Sequence, residues 1–170
     1  RIGLEWERET LQEIGDTYGI TRERVRQIED VGIKKIGRIM RTSSLMAIQE
    51  SGEKLLKMHG GVMTRDRLIS AIVADIGVQG NMNMNIIDVL LQADFNLQRS
   101  KPQLGTNTYF HFPEVSKKLI ESAHKEALKI LKKRGDIIES TALYEMIKVN
   151  LFGQFGKVEP ILIDSVMDIY

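Results

Sequence analysis

The chain has 170 residues, of which 42% are hydrophobic and 28% charged, and it contains no cysteine. This composition is typical of a folded protein and excludes a disulfide scaffold, a thiolate metal site and a cysteine nucleophile. The net charge is only +1 and no apolar run reaches the ~18 residues that a membrane span needs, so we expect a cytoplasmic protein without a membrane segment.

Basic charge is concentrated in two short segments of the chain. Residues 21–41 carry seven basic and three acidic side chains, and residues 115–135 carry seven basic and two acidic ones. Phosphate binding requires a local concentration of cations, so both segments are candidates for contact with nucleic acid. For the second segment, a solvated helix face explains the charge equally well.

The first predicted element is a pair of helices between Thr10 and residue 41. Thr10 and Glu13 have the spacing of a capping box, in which each side chain satisfies a free backbone N–H of the first turn. Gly19 is predicted to end the first helix in a left-handed conformation. Thr21 is predicted to cap the second helix. The apolar stripe of that helix is predicted to consist of Val25, Ile28, Val31 or Gly32, and Ile36.

The spacing of these residues predicts a helix-turn-helix. Counted from Leu11, the fifth, ninth, tenth, fifteenth and eighteenth positions hold Gly15, Gly19, Ile20, Val25 and Ile28. The fifth position lies where the helices cross most closely, so only Gly or Ala fits, and the ninth makes the tight turn. The three apolar positions fix the crossing of the two helices. A plain helical hairpin with a solvated charged face does not require the two glycines together.

A helix-turn-helix presents the N-terminal part of its second helix to the major groove of DNA. With Val25 and Ile28 facing inward, the residues predicted to read bases are Arg22, Glu23, Arg26 and Gln27. Arginine recognises guanine, glutamate accepts from cytosine N4 and glutamine pairs with adenine. The residues predicted to contact phosphates are Thr21, Arg24, Lys34, Lys35, Arg38 and Arg41.

The next predicted segment, residues 45–113, has the element order of a winged helix. Its helices are "LMAIQESGEKLLKMHGG", "VMTRDRLISAIVADIG" and "NMNMNIIDVLLQADF". The stretch "NLQRSKPQLGTNTYFHF" then predicts a two-stranded hairpin, since a Lys-Pro-Gln-Leu-Gly turn separates two β-prone ends.

The last predicted segment, residues 114–170, is a second winged-helix-like unit. A long helix is predicted to end at Gly135, and Ser140 or Thr141 is predicted to cap the next one. A third helix begins in "VEPILIDSVMDIY". We expect the fold class to be mainly α, with a helix-turn-helix in residues 1–41 and winged-helix-like units after it. The first and last segments are expected to be truncated, because the chain starts with Arg1 and ends within an apolar run.

The stretch "TLQEIGDTYGITRERVRQIEDVGIKKI" resembles region 4 of the bacterial sigma-70 family of RNA polymerase sigma factors, over roughly residues 1–40. The resemblance implies recognition of the minus-35 promoter element, with double-stranded promoter DNA and core RNA polymerase as partners. It implies base contacts from Arg22, Glu23 and Gln27, and backbone or edge contacts from two further arginines, Arg24 and Arg26. The chain departs from the family at Gly32, which weakens the helix by about 1 kcal/mol relative to alanine, and in the more than one hundred residues that follow.

The extension is more weakly similar to HARE-type winged helices, through "HGGVMTRDRLISAI" and the aromatic "TYFHF". Sequence-specific DNA binding in transcription initiation is therefore the expected function. One alternative is an adaptor module that docks on RNA polymerase or a regulator, and another is the DNA-binding part of a DNA-processing enzyme. No catalytic motif, cofactor fingerprint, metal-ligand spacing or small-molecule site is evident, so we expect neither an enzyme nor a cofactor.

Overall fold

The computed structural model describes residue 3 and residues 7–77 and 83–170. It is mainly helical, with a small antiparallel sheet, which confirms the predicted fold class. By its contacts the chain divides into two compact units. The N-terminal unit comprises residues 1–52 and 71–95, and the C-terminal unit comprises residues 53–70 and 96–170.

The N-terminal unit is built from helices. Its elements are α1 (Leu11–Tyr18), α2 (Arg22–Met40), α5 (Met84–Gln92), the second half of α4 (Arg65–Ile76) and the first half of α3 (Met46–Met58). The predicted third helix of the middle segment is α5, which Asn83 caps through its side chain; residues 81 and 82 of that prediction lie outside the described residues.

The core of the N-terminal unit lies where α2, α3 and α5 meet. Met40, at the end of α2, is fully buried, and the Gln49 amide donates to the Leu90 carbonyl oxygen at 3.2 Å. At Gly37 the backbones come so close that an added Cβ would overlap the Ala93 carbonyl oxygen. The absence of a side chain at Gly37 is therefore what allows α2 to approach this part of the chain.

The C-terminal unit contains a three-stranded antiparallel sheet in the order β1-β3-β2. The strands are β1 (Val62–Thr64), β2 (Gln98–Arg99) and β3 (Tyr109–His111). Strands β2 and β3 form the predicted hairpin, with Arg99 opposite Phe110. Strand β1 was not predicted, because three residues are too few to display an alternating pattern and its partner lies far along the chain.

Three helices complete the C-terminal unit: α6 (Lys117–Arg134), α7 (Ser140–Phe155) and α8 (Pro160–Met167). Gly135 ends α6 with a left-handed φ of 72°, as predicted. The predicted cap of α7 is wrong by one or two residues, because Glu139 holds the N-cap position and makes no side-chain capping bond. These helices share one hydrophobic core with the sheet, which includes Val62, Ile120 and Ile163.

The predicted boundaries 1–41, 45–113 and 114–170 stay a prediction. Among the helices of the described residues, none is both long enough and apolar enough to cross a membrane.

Candidate nucleic-acid interface

Helix α1 begins with a complete capping box. The Glu13 backbone N–H donates to the Thr10 hydroxyl oxygen at 3.2 Å, and the Thr10 backbone N–H donates to the Glu13 carboxylate at 2.6 Å. This pairing confirms the prediction from the Thr-x-x-Glu spacing. The hydrogen bond from the Thr10 backbone, followed by that with the Thr10 side chain, lowers the pKa of Glu13, so the cap is built around an ionised carboxylate.

The turn between α1 and α2 depends on two glycines. Gly19 adopts a φ of 64°, and the Ile20 backbone N–H returns to the Gly15 carbonyl oxygen at 2.9 Å. A Cβ added to Gly15 would lie 2.7 Å from the Ile20 carbonyl oxygen. The sequence prediction allowed Gly or Ala here, but this distance leaves room for glycine alone unless the turn shifts.

Thr21 begins the second helix by accepting a hydrogen bond from the Arg24 backbone N–H at 3.1 Å. Its hydroxyl oxygen is engaged in this cap, while the hydroxyl hydrogen can still be donated to a phosphate. Helix α2 is 19 residues long and runs through Gly32 without a break. The lower helix propensity of Gly32 therefore does not end the helix.

The inward face of α2 differs from the predicted stripe. Val25 is buried as expected, whereas Ile28 is 53% exposed and Val31 is 67% exposed. The prediction was wrong for both because α1, only eight residues long, covers no more than the start of α2. Farther along, α2 packs against the region of α5 instead, through Gly37 and Met40.

Glu23, Arg26 and Asp30 form a chain of ion pairs, which we call the Arg26 clamp. The Arg26 guanidinium donates to both carboxylate oxygens of Glu23, at 2.6 and 2.9 Å, and to the Asp30 carboxylate at 2.6 Å. The Arg26 hydrogen bond is the largest cause of a lowered pKa at Glu23, and the same contact raises the pKa of Arg26. Arg26 was predicted to read bases directly; in this conformation it orients Glu23.

The clamp also contacts Gln27 weakly. The Gln27 amide nitrogen donates to Glu23 Oε1 at 3.5 Å. The Gln27 amide oxygen in turn accepts from the guanidinium of Arg24, a residue outside the clamp, at 3.4 Å. Four of the predicted DNA-contacting residues are therefore neighbours on the exposed start of α2. Arg22 is also exposed there. The role of Asp30 was missed by the sequence interpretation, although its spacing of four residues from Arg26 was a sufficient signal.

The predicted phosphate contacts lie farther along α2. Three of them, Arg24, Lys34 and Arg38, are exposed and lie ten and four residues apart. This spacing aligns them along one side of the helix, which they share with the predicted base reader Gln27. Lys35 is exposed nearby on the same helix. The Arg41 guanidinium lies 4.8 Å from the centre of the Phe95 ring; this stacking orients its charge and leaves its in-plane N–H groups free to donate.

The exposed start of α2 is suited to binding a partner through hydrogen bonds and ion pairs. It combines cations, one oriented carboxylate and one amide at the start of an exposed helix. Within residues 7–77 and 83–170 no group of three His, Asp or Glu side chains is arranged to hold a metal ion.

Residues 2–37 match the family model described as Sigma-70, region 4. No curated protein and no solved structure matches the chain. The matched segment contains α1, the glycine turn and most of α2, so this part of the chain is a DNA-binding helix-turn-helix of the transcription sigma type.

Proposed function

We propose that the start of α2 reads the bases of a minus-35 type promoter element in duplex DNA, and that the chain acts in transcription initiation with core RNA polymerase. The observation that carries the proposal is the mixed Arg, Glu and Gln surface on a sigma-type helix-turn-helix. A surface that only binds phosphates gains nothing from Glu23, because its carboxylate repels the DNA backbone. A carboxylate that accepts from cytosine N4 contributes to sequence discrimination.

In the proposed complex, α2 enters the major groove with Arg22, Glu23 and Gln27 against base edges. Arg26 holds the Glu23 carboxylate in one orientation and screens its charge from the phosphates. These contacts support Arg26 as a residue that positions the base reader Glu23.

The phosphate contacts are proposed to run along α2 from Thr21 and Arg24 through Lys34, Lys35 and Arg38 to Arg41. These contacts fix the register of the helix on the duplex and carry no sequence information themselves. Their contribution depends strongly on salt, because each phosphate contact releases counterions.

The test is binding of the full 170-residue chain to duplexes with and without a TTGACA-like element, measured by fluorescence anisotropy at several salt concentrations. We expect Arg22→Ala and Gln27→Ala to cost about 1–3 kcal/mol on the specific duplex and to relax base preference. Arg38→Ala is the matched control on the same helix, and it should weaken binding to both duplexes and reduce the salt slope by about 1. Equal binding of the unaltered chain to both duplexes would contradict the proposal.

A further inference from the structure

Helix α7 in the C-terminal unit carries apolar residues on two opposite faces. Its inner face, Leu143, Ile147 and Leu151, is buried in the core that α7 shares with α6 and α8. Its outer face carries a second stripe at a spacing of three residues, in which Met146 is 41% exposed, Val149 73% and Phe152 65%. A surface helix normally has one apolar face and one polar face, so the outer stripe of α7 needs a separate explanation.

Part of this outer stripe lines a groove of about 700 Å³ between α6 and α7. The apolar floor is formed by Ile130 from α6 and by Met146 and Val149 from α7. The groove is partly open to solvent and lies entirely within the C-terminal unit. Its size and apolar lining match sites that take up side chains from a partner.

The α6 side of the groove is basic. Lys129, Lys133 and Arg134 line it, and among the described residues the structure gives Lys133 and Arg134 no ion-pair partner. Two acids of this region are already engaged. Glu126 accepts from Lys129 at 3.2 Å and from the Asn150 amide at 3.1 Å. Glu145, which lines the α7 side of the groove, pairs with Lys148 at 2.7 Å. The groove thus combines an apolar floor with uncompensated positive charge on one edge.

We propose that this groove binds an acidic amphipathic helix of a partner protein. Apolar side chains of such a helix, three and four residues apart, would pack on Ile130, Met146 and Val149, as in other helix-in-groove complexes. Its carboxylates would pair with Lys133 and Arg134. A nucleic acid fits less well, because phosphates would desolvate against the apolar floor. A membrane surface fits less well too, because the apolar groups line a concave groove.

The proposal is tested with the full chain and a fluorescent helical peptide that has Leu and Phe on one face and Glu elsewhere. The control peptide has the same composition with the apolar residues distributed around the helix. We expect saturable binding of the first peptide, and binding at least about tenfold weaker for the second. Val149→Asp should weaken binding at least about tenfold, whereas Ile137→Asp, at a fully exposed site outside the groove, should leave it unchanged. Circular dichroism verifies that both variants are folded.

The charge contribution is tested with a matched pair of double variants. Lys133→Glu with Arg134→Glu should weaken binding at least about fivefold at low salt, and less at high salt because the pairs are exposed. Lys125→Glu with Lys132→Glu makes the same change in net charge on the same helix, outside the groove lining, and should have little effect.

Four outcomes would overturn the proposal. They are equal binding of the ordered and the control peptide, equal losses in the groove and control variants, Val149-dependent binding of duplex DNA or of vesicles containing phosphatidylserine, and Val149-dependent self-association of the chain in analytical ultracentrifugation. The last two would assign the groove to a different occupant.

Discussion

At the scale of single residues, the helix-turn-helix depends on one close backbone contact, at Gly15, and on one left-handed residue, Gly19. Gly15 lies under the Ile20 carbonyl oxygen, and Gly19 holds a left-handed conformation that other residues adopt only with strain. These constraints act over a few residues, which is why they could be predicted from the sequence. The capping box at Thr10 and Glu13 was predictable for the same reason.

Replacing Gly15 with alanine should destabilise the helix-turn-helix. Its Cβ would lie 2.7 Å from the Ile20 carbonyl oxygen, so the turn must open, and we expect a loss of about 1–3 kcal/mol in the free energy of unfolding. Urea unfolding followed by circular dichroism measures this loss. Gly153→Ala in α7 is the control, because an added Cβ meets nothing within 4 Å there. A Gly15→Ala variant as stable as the original chain would show that the close crossing is not a constraint.

The Arg26 clamp makes a prediction about protonation. Arg26 lowers the pKa of Glu23, so Arg26→Gln should raise that pKa towards the ordinary glutamate value, as measured by NMR titration of the Glu23 carboxyl group. In the original chain, the stabilisation from this pair is present above the ordinary glutamate pKa and is lost as the pH falls through the lowered value. Arg22→Gln, which removes a cation that forms no ion pair with Glu23, should leave the titration almost unchanged. An unaltered Glu23 titration in Arg26→Gln would contradict the clamp.

At the scale of elements, α2 combines two tasks along its 19 residues. Its first half carries the proposed base-reading surface, and its second half combines proposed phosphate contacts with packing in the N-terminal unit through Gly37 and Met40. The sequence predicted the helix and its start correctly. It could not predict that Ile28 and Val31 are exposed, because burial depends on which neighbour lies over each turn and not on the apolar period alone.

Two glycines of α2 provide a matched pair of substitutions. An alanine at Gly32 meets no atom within 4 Å, so Gly32→Ala should stabilise the chain by up to about 1 kcal/mol through helix propensity. Gly37→Ala gains the same propensity but introduces an overlap with the Ala93 carbonyl oxygen, so it should be destabilising. Thermal and urea unfolding of the two variants measure the contrast. The same sign of change in both would contradict the packing of α2 described above.

At the scale of the whole molecule, local sequence patterns predict the helices of the C-terminal unit but not how these helices pack on the sheet. Helices α6, α7 and α8 were predicted from periodicity and from stops such as Gly135. Their shared core with the sheet, through Val62 and Tyr109, joins residues far apart in sequence, and no local signal specified it. The groove on the outer side of α7 was unpredictable for the same reason, since it requires knowing which face of α7 is already covered.

The core of the C-terminal unit should lose stability in strong alkali. Burial, followed by a 2.7 Å hydrogen bond to Asp164, raises the pKa of Tyr144 to about 12. Protonated Tyr144 therefore stabilises the folded chain below the ordinary tyrosine pKa of ~10. This stabilisation is lost as the pH rises from there through the raised pKa of about 12. Tyr144→Phe should be less stable than the original chain at pH near 8, and the difference should shrink above pH ~10. Urea unfolding at both pH values measures it, and a constant difference would contradict the assignment.

The short strands of the sheet have a consequence for how the chain behaves at high concentration. The outer strands β1 and β2 have only three and two residues, and backbone bonds beyond them, such as Ser100 N–H to the Tyr109 carbonyl oxygen at 2.8 Å, involve the central strand. An incoming extended chain therefore finds few consecutive unpaired backbone groups on either edge. Short edges of this kind protect natural sheets against strand-to-strand aggregation, so this sheet is a poor template for fibril growth even though its central strand is the aromatic sequence Tyr-Phe-His.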